Sequence, residues 1–143
     1  MDGALAAYAT LFAWSFLAAT VVPLGSEPAL FAVVFGGYPF WTAVGVATTG
    51  NVLGACTTYW LGHRAAAALE ARGFTRADDS RAGRLLRRYG QPALLLSWVP
   101  LIGDALVAAA GAVRTPLLPF VVWVSIGKAA RYAAVAWGAG ALR

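Results

Sequence analysis

Four ionisable side chains stand inside runs that are otherwise apolar: Glu27, Asp104, Lys128 and Arg131. At the centre of a membrane helix each costs about 2.5–3.5 kcal/mol on insertion scales, so such groups face a protein interior and pair. Lys128 and Arg131 are three residues apart and share one helix face. Their expected partners are Asp104, from the same half of the chain, and Glu27, from the other. A lysine–arginine pair of this kind suits a phosphate headgroup, with half-helix N-termini adding favourable dipoles. Glu27 or Asp104 would then take up and release a proton as the cations exchange partners. Asn51 is expected to add a polar contact to this site or to bond a neighbouring helix. The competing reading is structural. In it the network is a neutral lock between two halves, and the acids are ordinary N-caps, Glu27 ahead of Pro28 and Asp104 after Gly103.

The elements that must position these groups are broken apolar segments. Val22-Pro23-Leu24-Gly25-Ser26-Glu27-Pro28 interrupts one run, and Val99-Pro100-Leu101-Ile102-Gly103-Asp104 interrupts another. Pro23, Gly25, Pro100 and Gly103 are the expected breaks, because Pro and Gly both disfavour a continuous helix. Ala4 to Val22, 19 residues, is just long enough to span a bilayer, whereas Pro28 to Gly37 is only ten. Ten helical residues cover about 15 Å, half of a hydrocarbon core about 30 Å thick. So short an arm predicts a re-entrant hairpin or a broken helix. Phe40 to Gly62 and Pro116 to Gly140 are long enough to cross. Gly50 and Gly54 in the first of these make a GxxxG spacing, which predicts close helix packing and is compatible with a homodimer.

Composition agrees with a membrane setting. Sixty per cent of the 143 residues are hydrophobic and 12% are charged, about half the charged share of a soluble domain. Seven of the eleven basic residues fall between Arg64 and Arg88, so the net charge of +5 points to anionic lipid rather than nucleic acid. The stretch 63–91 is therefore expected in the cytoplasm. Within it Arg81, Arg84, Arg87 and Arg88 surround Leu85, Leu86 and Tyr89, the pattern of an amphipathic helix on the lipid surface. Cys56 and His63 are single, which excludes a zinc site built from several such residues; no metal or cofactor is expected. Met1-Asp2-Gly3 lacks a basic n-region, so the first apolar run is expected to stay in the mature chain.

The two broken segments are related by a constant offset. Pro23, Glu27, Pro39, Gly50, Asn51 and Trp60 fall 77 residues before Pro100, Asp104, Pro116, Gly127, Lys128 and Trp137. One hairpin and one crossing per half would invert the second copy. The expected fold is thus an all-α integral membrane protein with an inverted repeat. It forms one domain over 1–143, with repeats at about 4–62 and 92–140 joined by the basic linker 63–91. In transporters of that architecture, sites lie near the midplane at corresponding helix breaks.

Gly50-Asn51-x2-Gly54-x4-Tyr59-x2-Gly62-x-Arg64 resembles the first-half signature of the DedA superfamily, the VTT or SNARE-associated membrane proteins. Arg88-Tyr89-Gly90, Ser97-Trp98-x-Pro100-x2-Gly103-Asp104 and Gly127-Lys128-x2-Arg131-Tyr132 look like its short YqaA-type branch. The resemblance covers roughly residues 10 to 138. It implies opposed re-entrant hairpins meeting within the membrane and movement of lipids between leaflets, polyprenyl phosphate or phospholipid, in a bacterial-type inner membrane. Larger bacterial members carry an Arg-containing motif before the second break, where this chain reads Leu96-Ser97-Trp98-Val99. The leading expectation is a transporter of an anionic lipid, with protons as a coupling partner. Its rivals are a proton-coupled carrier of ions or small solutes and a membrane scaffold. An enzyme acting on lipid phosphate is disfavoured, because no nucleophile pairs with a His in the apolar core.

Overall fold

The computed structural model describes residues 2–20, 25–74 and 80–142, and every regular element in them is helical. Pro23 lies outside the described residues. Six α-helices follow in order: α1 Asp2–Thr20, α2 Glu27–Phe35, α3 Phe40–Ala71, α4 Arg81–Tyr89, α5 Ile102–Ala112 and α6 Leu117–Ala141, with a 3-10 helix Gln91–Trp98 between α4 and α5. The chain groups into two compact units, Met1–Gly54 with Lys128–Arg143, and Ala55–Gly127. The long helices α3 and α6 each contribute to both.

In the first unit α2 packs against α1. Ser26 begins α2, its carbonyl accepting from the Leu30 N–H at 3.1 Å, and Pro28 sits in the first turn, where a missing N–H costs nothing. The N-cap is therefore Ser26, and Glu27, a cap in the competing structural reading, is the first helical residue. Gly37, at φ +92°, ends α2. Tyr38 then meets the start of α1, its ring edge-on to Tyr8 at 5.6 Å and its hydroxyl 3.4 Å from the Gly3 carbonyl. Leu11, Leu30, Val34, Ala43, Ala47, Tyr132 and Ala136 form the core of this unit. Gly50 and Gly54 lie against the backbone of α1: a Cβ on Gly50 would stand 2.6 Å from the Phe12 carbonyl oxygen, and one on Gly54 would collide with that of Phe16. The GxxxG face is thus occupied within the chain, so that spacing no longer argues for a second copy.

In the second unit the 3-10 helix and α5 pack against each other across a break. α3 runs to Ala71, nine residues past the expected end at Gly62, because Ala65 to Leu69 are strong helix formers and the stop comes only at Gly73, φ +79°. Ser80 caps α4, its hydroxyl accepting from the Gly83 N–H at 3.0 Å. The chain then passes through the 3-10 helix, breaks at Val99 to Leu101 and returns as α5. The N-cap of α5 is Leu101, at φ +65°, which puts Asp104 at the third helical position and removes the capping role that the competing reading gave it. Gly103 sits so close to the Ser97 carbonyl that a side chain there would collide with it, and Gly111 does the same with the Tyr59 carbonyl on α3. After α5, Arg114 adopts φ +58° and its guanidinium pairs with Glu70 at 3.1 Å, in the last turn of α3.

Two helices, α1 over Gly3–Thr20 and α6 over Leu117–Ala141, are both long and apolar enough to cross a bilayer. The 32-residue α3 is longer but carries more Thr and Gly. Trp41, Leu118 and Trp137 are each about three-quarters exposed, a surface that lipid rather than water would satisfy.

Candidate functional site

The first unit gathers polar groups from four helices. On α6, Lys128, Arg131 and Tyr132 follow at i, i+3 and i+4 and so project from one face. Lys128 is buried, 4% exposed, and donates to the Asn51 side-chain carbonyl on α3. The Asn51 amide in turn donates to the Ser15 carbonyl of α1 at 2.9 Å. Arg131 pairs with Glu27 at the start of α2, both side chains being about one-quarter exposed or less. Tyr132 and Ser26 are buried and share a hydrogen bond. Glu27, Asn51, Lys128 and Arg131 are thereby brought into one unit, while Asp104 lies in the other, in the first turn of α5.

Local sequence explains the placement. Ser26-Glu27-Pro28 starts a helix at the break, so the acid is held at the positive end of α2. Asn51 lies between Gly50 and Gly54, whose lack of side chains lets α1 approach until the Asn51 amide reaches a backbone carbonyl. Three participants were not singled out from sequence: Ser15, Ser26 and Tyr132. Tyr132 carried a signal, its i+4 spacing from Lys128. Ser26 had only its adjacency to Glu27, and Ser15 had none. The Ser15 hydroxyl is fully buried and has no hydrogen-bond partner among the described residues.

Chemically, the unit offers a point charge on Lys128 and a planar, forked guanidinium on Arg131, the two shapes of cation that bind phosphate oxygens. Their partners, a neutral amide and a carboxylate, are both groups that an anion can displace. Tyr132 lies on α6 beside the two cations and Ser26 caps α2 next to Glu27, while Ser15 lies on α1.

The model of the VTT domain matches residues 22–139. Inner membrane protein YqaA of Escherichia coli is 41% identical over 128 residues, covering 89% of this chain and 87% of the relative, and the protein of the same name from Shigella flexneri matches equally. A protein of Haemophilus influenzae described as uncharacterised is 35% identical over 138 residues, 87% of this chain and 82% of its own. No solved structure matches significantly.

Proposed function

For a chain that belongs to the VTT-domain (DedA) family, we propose transport of an anionic lipid, a polyprenyl phosphate or a phospholipid, between the leaflets of the inner membrane. The name of the Escherichia coli relative supports that location. Each half of the inverted repeat is a re-entrant hairpin followed by a crossing, and the linker 63–91 faces the cytoplasm. One observation carries the reading: Lys128 and Arg131 sit within an apolar unit on partners that a headgroup can replace. As the phosphate binds, it takes the place of Glu27 on Arg131 and of Asn51 on Lys128. The released Glu27 carboxylate then faces an apolar surrounding and takes up a proton, which couples headgroup movement to proton movement. Asp104 plays the equivalent part in the second half.

The test is lipid flipping by purified protein in liposomes, wild type beside Glu27→Gln, Asp104→Asn and Arg131→Gln, with size-exclusion profiles to check folding. Flipping by the wild type that is lost in well-folded variants is the expected result. Well-folded variants that flip at the wild-type rate would make the network structural. A wild type that takes up a solute but moves no lipid would turn the same residues to a proton-coupled carrier.

A further inference from the structure

The second unit has a cationic surface that the transport reading does not use. Between Ser80 and Gln91 there are four arginines and no acid. α4 turns Gly83 and Leu86 inward, while Arg81, Arg84, Arg87, Arg88 and Tyr89 are exposed, with the Arg88 guanidinium 5.4 Å from the centre of the Tyr89 ring. An open hollow of about 760 Å³ lies between these arginines. Arg87 also lines a second, smaller pocket of about 210 Å³, where the chain enters the broken segment at Gly90 and Gln91 and leaves it at Val113 to Pro116.

That smaller pocket has two kinds of wall. Leu86, Val113 and Pro116 are apolar; Arg87, Gln91, Arg114 and Thr115 are polar, and two of them are cations. An apolar pocket with a few convergent polar groups is the usual form of a ligand site. Here the ligand must satisfy both walls at once, which an anionic phospholipid does, with a phosphate for the arginines and glycerol and first acyl carbons for the leucine, valine and proline. Free phosphate satisfies only one wall. The arginine face of α4 continues the positive surface outward from Arg87, so it would lie along neighbouring headgroups.

We propose that an anionic phospholipid binds between the end of α4 and the 113–116 turn as a resident lipid that seats the second unit on the membrane surface, separate from any lipid carried by the first. The test is native mass spectrometry of the full-length chain in detergent, with phosphatidylglycerol, phosphatidylcholine or inorganic phosphate added. It is run on wild type, Arg87→Gln and Arg87→Lys, each also in the Arg131→Gln background that disables the proposed transport site. Phosphatidylglycerol should be retained over phosphatidylcholine, and Arg87→Gln should weaken it about fivefold per site, the factor for one basic residue at an anionic surface. Arg87→Lys should keep most of the binding, and Arg131→Gln should leave it in place. Equal retention of the two lipids, full competition by inorganic phosphate, or no effect of Arg87→Gln would overturn the proposal. So would loss of the lipid in Arg131→Gln alone, which would assign it to the first unit.

Discussion

In the first unit Lys128 and Arg131 are turned inward onto Asn51 and Glu27, whereas in the second Arg81, Arg84, Arg87, Arg88 and Arg114 lie exposed. Yet the two units are packed alike. Each brings helices together at glycines: Gly50 and Gly54 of α3 against α1 in the first, Gly62 of α3 and Gly111 of α5 against each other's helices in the second. What separates them is where charge is kept. A cation inside depends on the polar groups packed against it, because water is excluded there. A cation outside has water, headgroups and neighbours to choose from, and no single partner is worth much.

The contrast is broken most severely by taking one member of the inner pair. Arg131→Gln should lower stability by about 3 kcal/mol, the lower end for a buried pair because both side chains keep some exposure. The joint variant Glu27→Gln, Arg131→Gln should regain much of that loss, since no uncompensated charge remains. Thermal midpoints in detergent of the two single variants and the double variant decide it, and additive losses would show that the pair is not coupled.

The shared packing gives the next effect, and here the units should behave alike. Gly54→Val and Gly111→Val each force a side chain against a carbonyl of the facing helix. Each should destabilise by about 1–3 kcal/mol, the usual range for overpacking. A much smaller shift for one of them would mean that its helix crossing yields more readily. The smallest effect is expected at the outer pair. Glu70→Gln removes a bridge whose side chains are 33% and 53% exposed, so it should cost about 0.2–1 kcal/mol and less at high salt. A loss as large as that of Arg131→Gln would erase the distinction between inner and outer charge.

Much of this plan was legible in residue types. Pro, Gly and an acid within an apolar run mark a break wherever they occur, and α2 and α5 both begin at such points. The four arginines of α4 declare their helix because apolar residues recur between them at helical spacing. Helix ends were harder. The caps of α2 and α5 are Ser26 and Leu101 rather than the acids, because one residue of shift in a turn changes every cap assignment and local composition does not resolve it. The charge-free run ends at Gly62, but that glycine is a packing surface for α5 and the helix continues to Ala71. The bonds of Ser26 to Tyr132 and of Lys128 to Asn51 join residues 106 and 77 apart. Periodicity along one helix reports a face, and the partner of that face is set by tertiary packing.

The make-up of the first unit has a consequence for biogenesis. It joins residues 1–54 to residues 128–143, which are made much later. Glu27 is synthesised about 100 residues before Arg131, an interval of roughly 5–20 s at ordinary translation rates. For that time the acid has no Arg131 to meet, and inserting it early would cost what an unpaired charge in lipid costs. The segment that carries Glu27 is therefore expected to insert fully only once α6 arrives. A ribosome stalled between residues 60 and 120 would hold the chain in that waiting state, where Glu27→Gln should speed insertion even though it removes a contact from the finished protein.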